Sequence, residues 1–175
     1  VLLLTGAPGV GKTTVIRAVA AALSGRRLAG FFTEEIRAGR ERQGFALVTL
    51  DGRRARMADV SRPGTPRVGK YGVDVDVVDG MARSALSGRE DIELYLVDEI
   101  GKMECLSRVF VEAVRALLDT ATPVVATVAA RGGGFIEEVK RRTDAVVWEV
   151  SRANRDAAPA RVLGWVGPRL PPTRP

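Results

Sequence analysis

Short apolar runs alternate with helical periodicities along most of the chain. Residues 1–5 (VLLLT) form the first run, followed by a Gly/Pro loop at 6–11. From Thr13 the apolar positions Val15, Ile16, Val19 and Leu23 recur at helical spacing, and Ser24-Gly25 ends the helix. Residues 28–33 (LAGFFT) and 43–50 (QGFALVTL) read as strands. Asp51-Gly52 then turns the chain into a shorter run at 53–59, which predicts a β-hairpin. Pro63, Gly64, Pro66, Gly69 and Gly72 mark 60–72 as a surface loop, and a helix follows at about 74–87.

The second half carries clearer patterns. Residues 93–97 (ELYLV) predict a buried strand. Leu106, Val109, Phe110, Ala113, Val114, Leu117 and Leu118 then occupy one helical face. Residues 123–128 (PVVATV) read as a strand, 134–141 as a short helix and 145–150 (AVVWEV) as a last strand. Short apolar strands alternating with helices predict an α/β fold with a mostly parallel, doubly wound sheet. The hairpin at 43–59 is expected as an antiparallel addition at one edge. The tail 168–175, half proline, is expected to be extended or disordered.

The length, 175 residues, fits one domain over 1–167 with an insertion at about 30–72. There is no apolar run near the roughly 18 residues of a membrane span. Residues 1–5 are too few for a signal h-region, so a cytoplasmic protein is expected. With no histidine, a histidine base, a Ser-His-Asp triad or a histidine-ligated metal is excluded. With Cys105 alone, so are an intramolecular disulfide and a cysteine-type zinc site. Any metal must be a hard cation on oxygen ligands, by default Mg²⁺. The net charge of +6 attracts anions. Because the basic residues are scattered and aromatics are few, nucleic acid is not expected as the main partner.

One motif carries the chemistry. Gly6-Ala7-Pro8-Gly9-Val10-Gly11-Lys12-Thr13 fits G-x-x-x-x-G-K-[ST] between a strand and a helix. Such a loop wraps phosphate oxygens in backbone N–H groups at the positive end of the helix dipole. Lys12 is placed for the β- and γ-phosphates, Thr13 for Mg²⁺ and Thr14 for the α-phosphate. Nucleoside triphosphates are the ligands this implies.

The strand at 93–97 runs into Asp98 and Glu99. An Asp there can hold Mg²⁺ beside the loop, and open α/β sheets bind ligands at that end. Asp98 is therefore assigned to the metal and Glu99 to water activation. The loop and the acidic pair are expected to meet across neighbouring strands. Thr127 is either a γ-phosphate sensor or a β-branched packing residue. Arg131, Arg141 and Arg142 are candidates for a charge-neutralising finger, with a solvated helix face the alternative for Arg141 and Arg142. Asn154-Arg155 is either a base or ribose contact or a helix cap.

Several strings in order carry a resemblance: Gly6–Thr14, Gly30–Arg37, Gly44-Phe45, Asp98–Glu104 (DEIGKME), Val139–Arg142 and Asn154-Arg155-Asp156. The chain resembles the small P-loop nucleoside-triphosphatase family that includes the human cancer-related nucleoside-triphosphatase and thermophile relatives. The resemblance implies a fold related to RecA and AAA+ proteins, of catalytic-glutamate type. It also implies slow, Mg²⁺-dependent hydrolysis of nucleoside 5′-triphosphates with broad base tolerance, and a monomer is expected. Residues 129–134 (AARGGG) depart from the longer basic stretch of some relatives. Lys102 and Glu104 match the family string without a derived role. The rival readings are a nucleotide or nucleoside kinase, with 30–72 as an acceptor lid, and a nucleotide-gated RNA-binding module.

Overall fold

The computed structural model describes residues 1–63 and 66–172. The chain begins with β1 (Leu2–Thr5), α1 (Lys12–Ala22), β2 (Leu28–Ala38), β3 (Glu41–Thr49) and β4 (Arg54–Asp59). It continues through β5 (Arg67–Val68), β6 (Tyr71–Val73), α2 (Val75–Ala85), β7 (Leu94–Ile100) and α3 (Arg108–Leu118). It ends with β8 (Val124–Val128), α4 (Phe135–Lys140), β9 (Val146–Glu149) and α5 (Ala158–Val166). Among the described residues nine strands join one mixed sheet in the order β5-β6-β4-β3-β2-β7-β8-β1-β9.

The parallel half runs from β2 to β9, and its interior strands are buried on both faces, which explains their unbroken apolar runs. Alternate residues serve two cores. Leu3, Tyr95, Val97 and Ala126 pack with α2, α3 and α4, while Leu2, Leu4, Leu96 and Val125 pack with α1 and α5. Gly30 permits the β2–β7 pairing, since a Cβ there would lie 1.8 Å from the Leu96 carbonyl oxygen.

The antiparallel half is larger than the sequence suggests. β2 extends to Ala38 and pairs with β3 around a turn at Gly39-Arg40, where Gly39 adopts φ +59°. Its distal residues Thr33–Ala38 are polar or half-exposed, so they lack the apolar alternation that marks a strand. The hairpin at Asp51-Gly52 forms as expected, with Gly52 N–H donating to the Thr49 carbonyl at 3.0 Å. Residues 60–72 were expected as a loop, yet β5 and β6 pair there about Gly69 and add two strands to the edge.

Three further differences have local causes. Leu106 fits the helical face of 106–118 but sits in a 3₁₀ turn, Glu104–Leu106, and is 38% exposed. The helix starts one residue after Ser107, whose hydroxyl caps Phe110 N–H at 2.8 Å. α5 is an addition to the sequence reading, because only Val162 and Val166 along it are buried and its apolar pattern is short. In the tail, Pro168 and Arg169 close a 3₁₀ turn and Leu170 packs on the second core, rather than extending freely. Residues 173–175 of that tail lie outside the described residues. Among the described residues no helix is long and apolar enough to cross a membrane.

Candidate active site

The loop 6–11 follows β1 and opens α1. Gly9 and Gly11 hold φ of +74° and +113°, which fold the backbone into a concave turn that L side chains resist. Gly6 is needed for space, since a Cβ there would stand 2.3 Å from the Val150 carbonyl oxygen. Ala7, Pro8 and Gly9 are exposed, while Val10 is buried and anchors the loop in the second core. Lys12 is buried, and its Nζ donates to the Gly6 carbonyl at 3.1 Å. Thr14, in the first turn of α1, lines the cavity beside the loop.

Asp98 and Glu99 stand at the carboxyl end of β7. Contrary to expectation, β7 and β1 are not neighbours: β8 lies between them. The intervening strand contributes Thr127, which is fully buried and donates to Asp98 Oδ1 at 2.5 Å. Thr13 Oγ1 donates to Asp98 Oδ2 at 2.6 Å. Thr33, at the point where β2 leaves the parallel block, donates its hydroxyl to the Asp98 carbonyl at 2.7 Å. Its N–H reaches Oδ2 at 3.4 Å. Three elements, α1, β8 and β2, therefore converge on the carboxylate that β7 carries.

Burial pushes the Asp98 carboxyl above its ordinary range, and the donors from Thr127, Thr13 and Thr33 pull it back. Glu99 is also raised by burial and by Asp98 beside it, against the opposing pull of Lys12. Lys12 Nζ lies 3.8 Å from Glu99 Oε2. Glu104 is buried, and burial reinforced by Glu99 and Asp98 pushes it up to about 8. Gly101 leaves room for Glu104, since a Cβ there would lie 2.7 Å from Glu104 Oε2.

The remaining candidates separate. Arg142 is bound to Asp119, Asp144 and the Leu118 carbonyl, which fixes it in packing below α4. Arg141, the residue that ends α4, pairs with Glu137 of that helix. Arg131 shares a second, open depression with Lys140 and Arg141. Lys140, which has no assigned role in the sequence analysis, donates to the Ala129 and Ala130 carbonyls and braces the segment after β8. The Asn154 amide closes the turn after β9, accepting from Ser151 N–H and donating to the Glu149 carbonyl, both at 2.9 Å. Arg155 Cδ stands 3.6 Å from where a Gly11 Cβ would be, so this residue flanks the loop. Lys102 lines the cavity and is exposed.

Thr33 and Lys140 are the residues that sequence reasoning passed over. Each lies inside a string that carries the family resemblance, but nothing in its spacing reveals a partner in another element.

A glycine loop between a strand and a helix, facing an acidic strand end in a mixed α/β sheet, places this chain among P-loop nucleotide-binding proteins. The family model described as NTPase matches residues 1–163, and the chain belongs to that family. It is 40% identical to nucleoside-triphosphatase THEP1 of Thermotoga maritima over 163 residues, covering 93% of this chain and 92% of that protein. The crystal structure of THEP1 from the hyperthermophile Aquifex aeolicus superposes with a TM-score of 0.86 at 33% identity, over 94% of this chain and 98% of that one. The solution structure of a human cancer-related nucleoside triphosphatase gives 0.81 at 35% identity, over 94% and 96%.

Proposed function

We propose that the protein hydrolyses nucleoside 5′-triphosphates to the diphosphate and phosphate. The observation that carries this reading is the facing pair of contacts between loop and strand end, Thr13 to Asp98 and Lys12 to Glu99. Backbone N–H groups of residues 6–11 and the Lys12 ammonium bind the β- and γ-phosphates. The triphosphate competes with Glu99 for Lys12 and leaves that carboxylate facing the terminal phosphate. Glu99, raised by burial, is then a stronger base and accepts the proton of the attacking water. The oxygen of that water joins the γ-phosphorus as the bond to the bridging oxygen breaks.

Thr13 and Asp98 together offer hard oxygen donors, and among the described residues no three Asp, Glu, Cys or His side chains form a cage. That donor set fits Mg²⁺, which takes few protein ligands and completes its shell with phosphate oxygens and water. Mg²⁺ would supply charge neutralisation on the phosphates. Thr127 and Thr33 keep Asp98 turned toward Thr13. The intervening β8 and the glutamate beside Asp98 support the catalytic-glutamate, RecA-like class. Arg155 flanks the loop and belongs with the base or ribose, while Asn154 takes the capping role, its amide closing the turn after β9.

Broad base tolerance, action as one domain and a monomer, and a cytoplasmic setting complete the proposal; no guanine-reading Asn-Lys-x-Asp motif is present. The test is phosphate release from the common ribo- and deoxyribonucleoside triphosphates, with and without Mg²⁺. Release from several bases with Mg²⁺ alone supports the reading. No release from any of them overturns it.

A further inference from the structure

Glu104 is buried in the wall of the cavity that holds the phosphate loop and the acidic pair, with 4% of its surface exposed. Among the described residues no side chain donates to its carboxyl and no cation pairs with it; backbone N–H groups of Glu104 and Gly101 are its hydrogen-bonding neighbours. A buried carboxyl with unused hydrogen-bonding capacity costs free energy unless something in the cavity uses it. The turn that carries Glu104 is well tied. Cys105 N–H donates to the Gly101 carbonyl and Ser107 N–H to the Glu104 carbonyl, both at 3.0 Å, and the Ser107 hydroxyl caps α3.

The carboxyl faces Glu99. Measured from the position a Gly101 Cβ would take, Glu104 Oε2 is 2.7 Å away and Glu99 Oε1 3.7 Å, so one oxygen of each acid borders the space that Gly101 leaves open. The other oxygen of Glu99, Oε2, is turned to Lys12 at 3.8 Å. Glu99 thus has one oxygen on the phosphate side and one on the Glu104 side. Burial holds Glu104 up at about 8, reinforced by the charges of Glu99 and Asp98, so at neutral pH it carries its proton.

An attacking water has two hydrogens to place. Held by its base alone, it turns about that one hydrogen bond, and its lone pair points at phosphorus only part of the time. A second acceptor removes that freedom. A neutral carboxyl suits the task, because a further negative charge beside Asp98 and Glu99 would repel the triphosphate.

We infer that Glu104 is a water-positioning residue, whose carbonyl oxygen accepts the second hydrogen of the water that Glu99 holds by the first. A lone pair of that water is then aimed at the γ-phosphorus. The water oxygen bonds to that phosphorus, the bond to the β–γ bridging oxygen breaks, and the diphosphate leaves with the electron pair. The transferred proton goes to Glu99, and Glu104 keeps its own. The inference rests on the hydrolysis proposed above.

The test compares the full chain with Glu104→Met and Glu104→Gln at pH 7 in Mg²⁺. Steady-state phosphate release from ATP, equilibrium binding of a non-hydrolysable triphosphate and urea denaturation are measured for each. The methionine side chain has a similar length without a carboxyl acceptor, and glutamine keeps a neutral group with its carbonyl oxygen. Glu104→Met should lower kcat by about 10–100-fold, the cost of a misplaced reactant. Its KM and Kd should stay within about twofold of wild type, since the contact is made to the water and not to the nucleotide. Its urea midpoint should equal or exceed wild type, because an apolar group replaces a buried polar one. Glu104→Gln should restore most of the lost kcat.

A merely structural role moves rate and midpoint together, so Glu104→Met losing both overturns the inference. Glu104→Gln as slow as Glu104→Met overturns it too. Phosphate release at the same kcat from wild type and Glu104→Met overturns this inference alone and leaves hydrolysis standing. No release from wild type overturns the hydrolysis reading and this one with it.

Discussion

Thr13 Oγ1 donates a 2.6 Å hydrogen bond to Asp98 Oδ2, joining the first turn of α1 to the end of β7 across 85 positions of sequence. Thr127 and Thr33 reach the same residue from β8 and β2. Asp98 is therefore both the organiser of the strand ends and the proposed partner of the metal. Asp98→Asn keeps the shape but removes the charge. It should raise the Mg²⁺ concentration for half-maximal phosphate release by about 10–100-fold, the usual cost of losing an outer-shell partner. A Mg²⁺ titration of phosphate release measures this, and an unchanged midpoint removes Asp98 from metal binding.

Glu99→Gln keeps the size of the side chain and abolishes its basicity. Hydrolysis should fall ~10²–10⁴-fold, while a fluorescent nucleotide still binds with affinity close to wild type. Turnover at the wild-type rate would assign the base to another group.

Lys12 acts earlier, because its ammonium faces both the loop and Glu99 before any phosphate arrives. Lys12→Ala should weaken nucleotide binding as well as rate. Equilibrium titration with a non-hydrolysable triphosphate separates this from the Glu99→Gln pattern, and an unaltered Kd would contradict it.

Glu104 makes stability depend on pH. Its folded value is pushed up to about 8 from an ordinary 4.5 by burial, so the native state retains a proton that the unfolded chain releases. The contribution of neutral Glu104 is whole below about 4.5 and is lost progressively as pH rises toward 8. Glu104→Gln has no such proton. In EDTA, its unfolding free energy relative to wild type should increase by roughly 1–5 kcal/mol between pH 5 and 8. Urea denaturation at the two pH values checks it; parallel curves would mean that Glu104 is ionised throughout.

Gly30 tests the junction between the two halves of the sheet. A Cβ at 1.8 Å from the Leu96 carbonyl oxygen, on a backbone at φ +120°, cannot be accommodated without moving β2 from β7. Gly30→Ala should cost about 3 kcal/mol or more, read as a fall in the urea midpoint. A wild-type midpoint would show that the strand pair yields freely.

The phosphate loop, the acidic pair and the alternating strands and helices were legible because each is local. The glycines of 6–11 lie within one turn, and the runs at 1–5, 93–97 and 123–128 are apolar on both faces because helices cover both faces. The distal part of β2, the β5–β6 pair and α5 were not legible. Thr33–Ala38 forms a strand through its partner β3, and Val162 and Val166 become core residues only because α1 lies against them.

Sequence by itself determined what chemistry was available: a loop for phosphates, two carboxylates after a strand, one thiol and no imidazole. Tertiary structure alone decided which groups share a space. It inserted β8 between β7 and β1, so that Thr127 holds Asp98, and it closed Arg142 into packing contacts. It also brought residues of the antiparallel half, Arg42 and Phe45, into the wall of the cavity that holds Glu99. The division has a physical reason. Residue type and spacing fix backbone conformation over one element, whereas hydrogen bonds between elements depend on strand order and register, which are settled by burying two apolar faces at once.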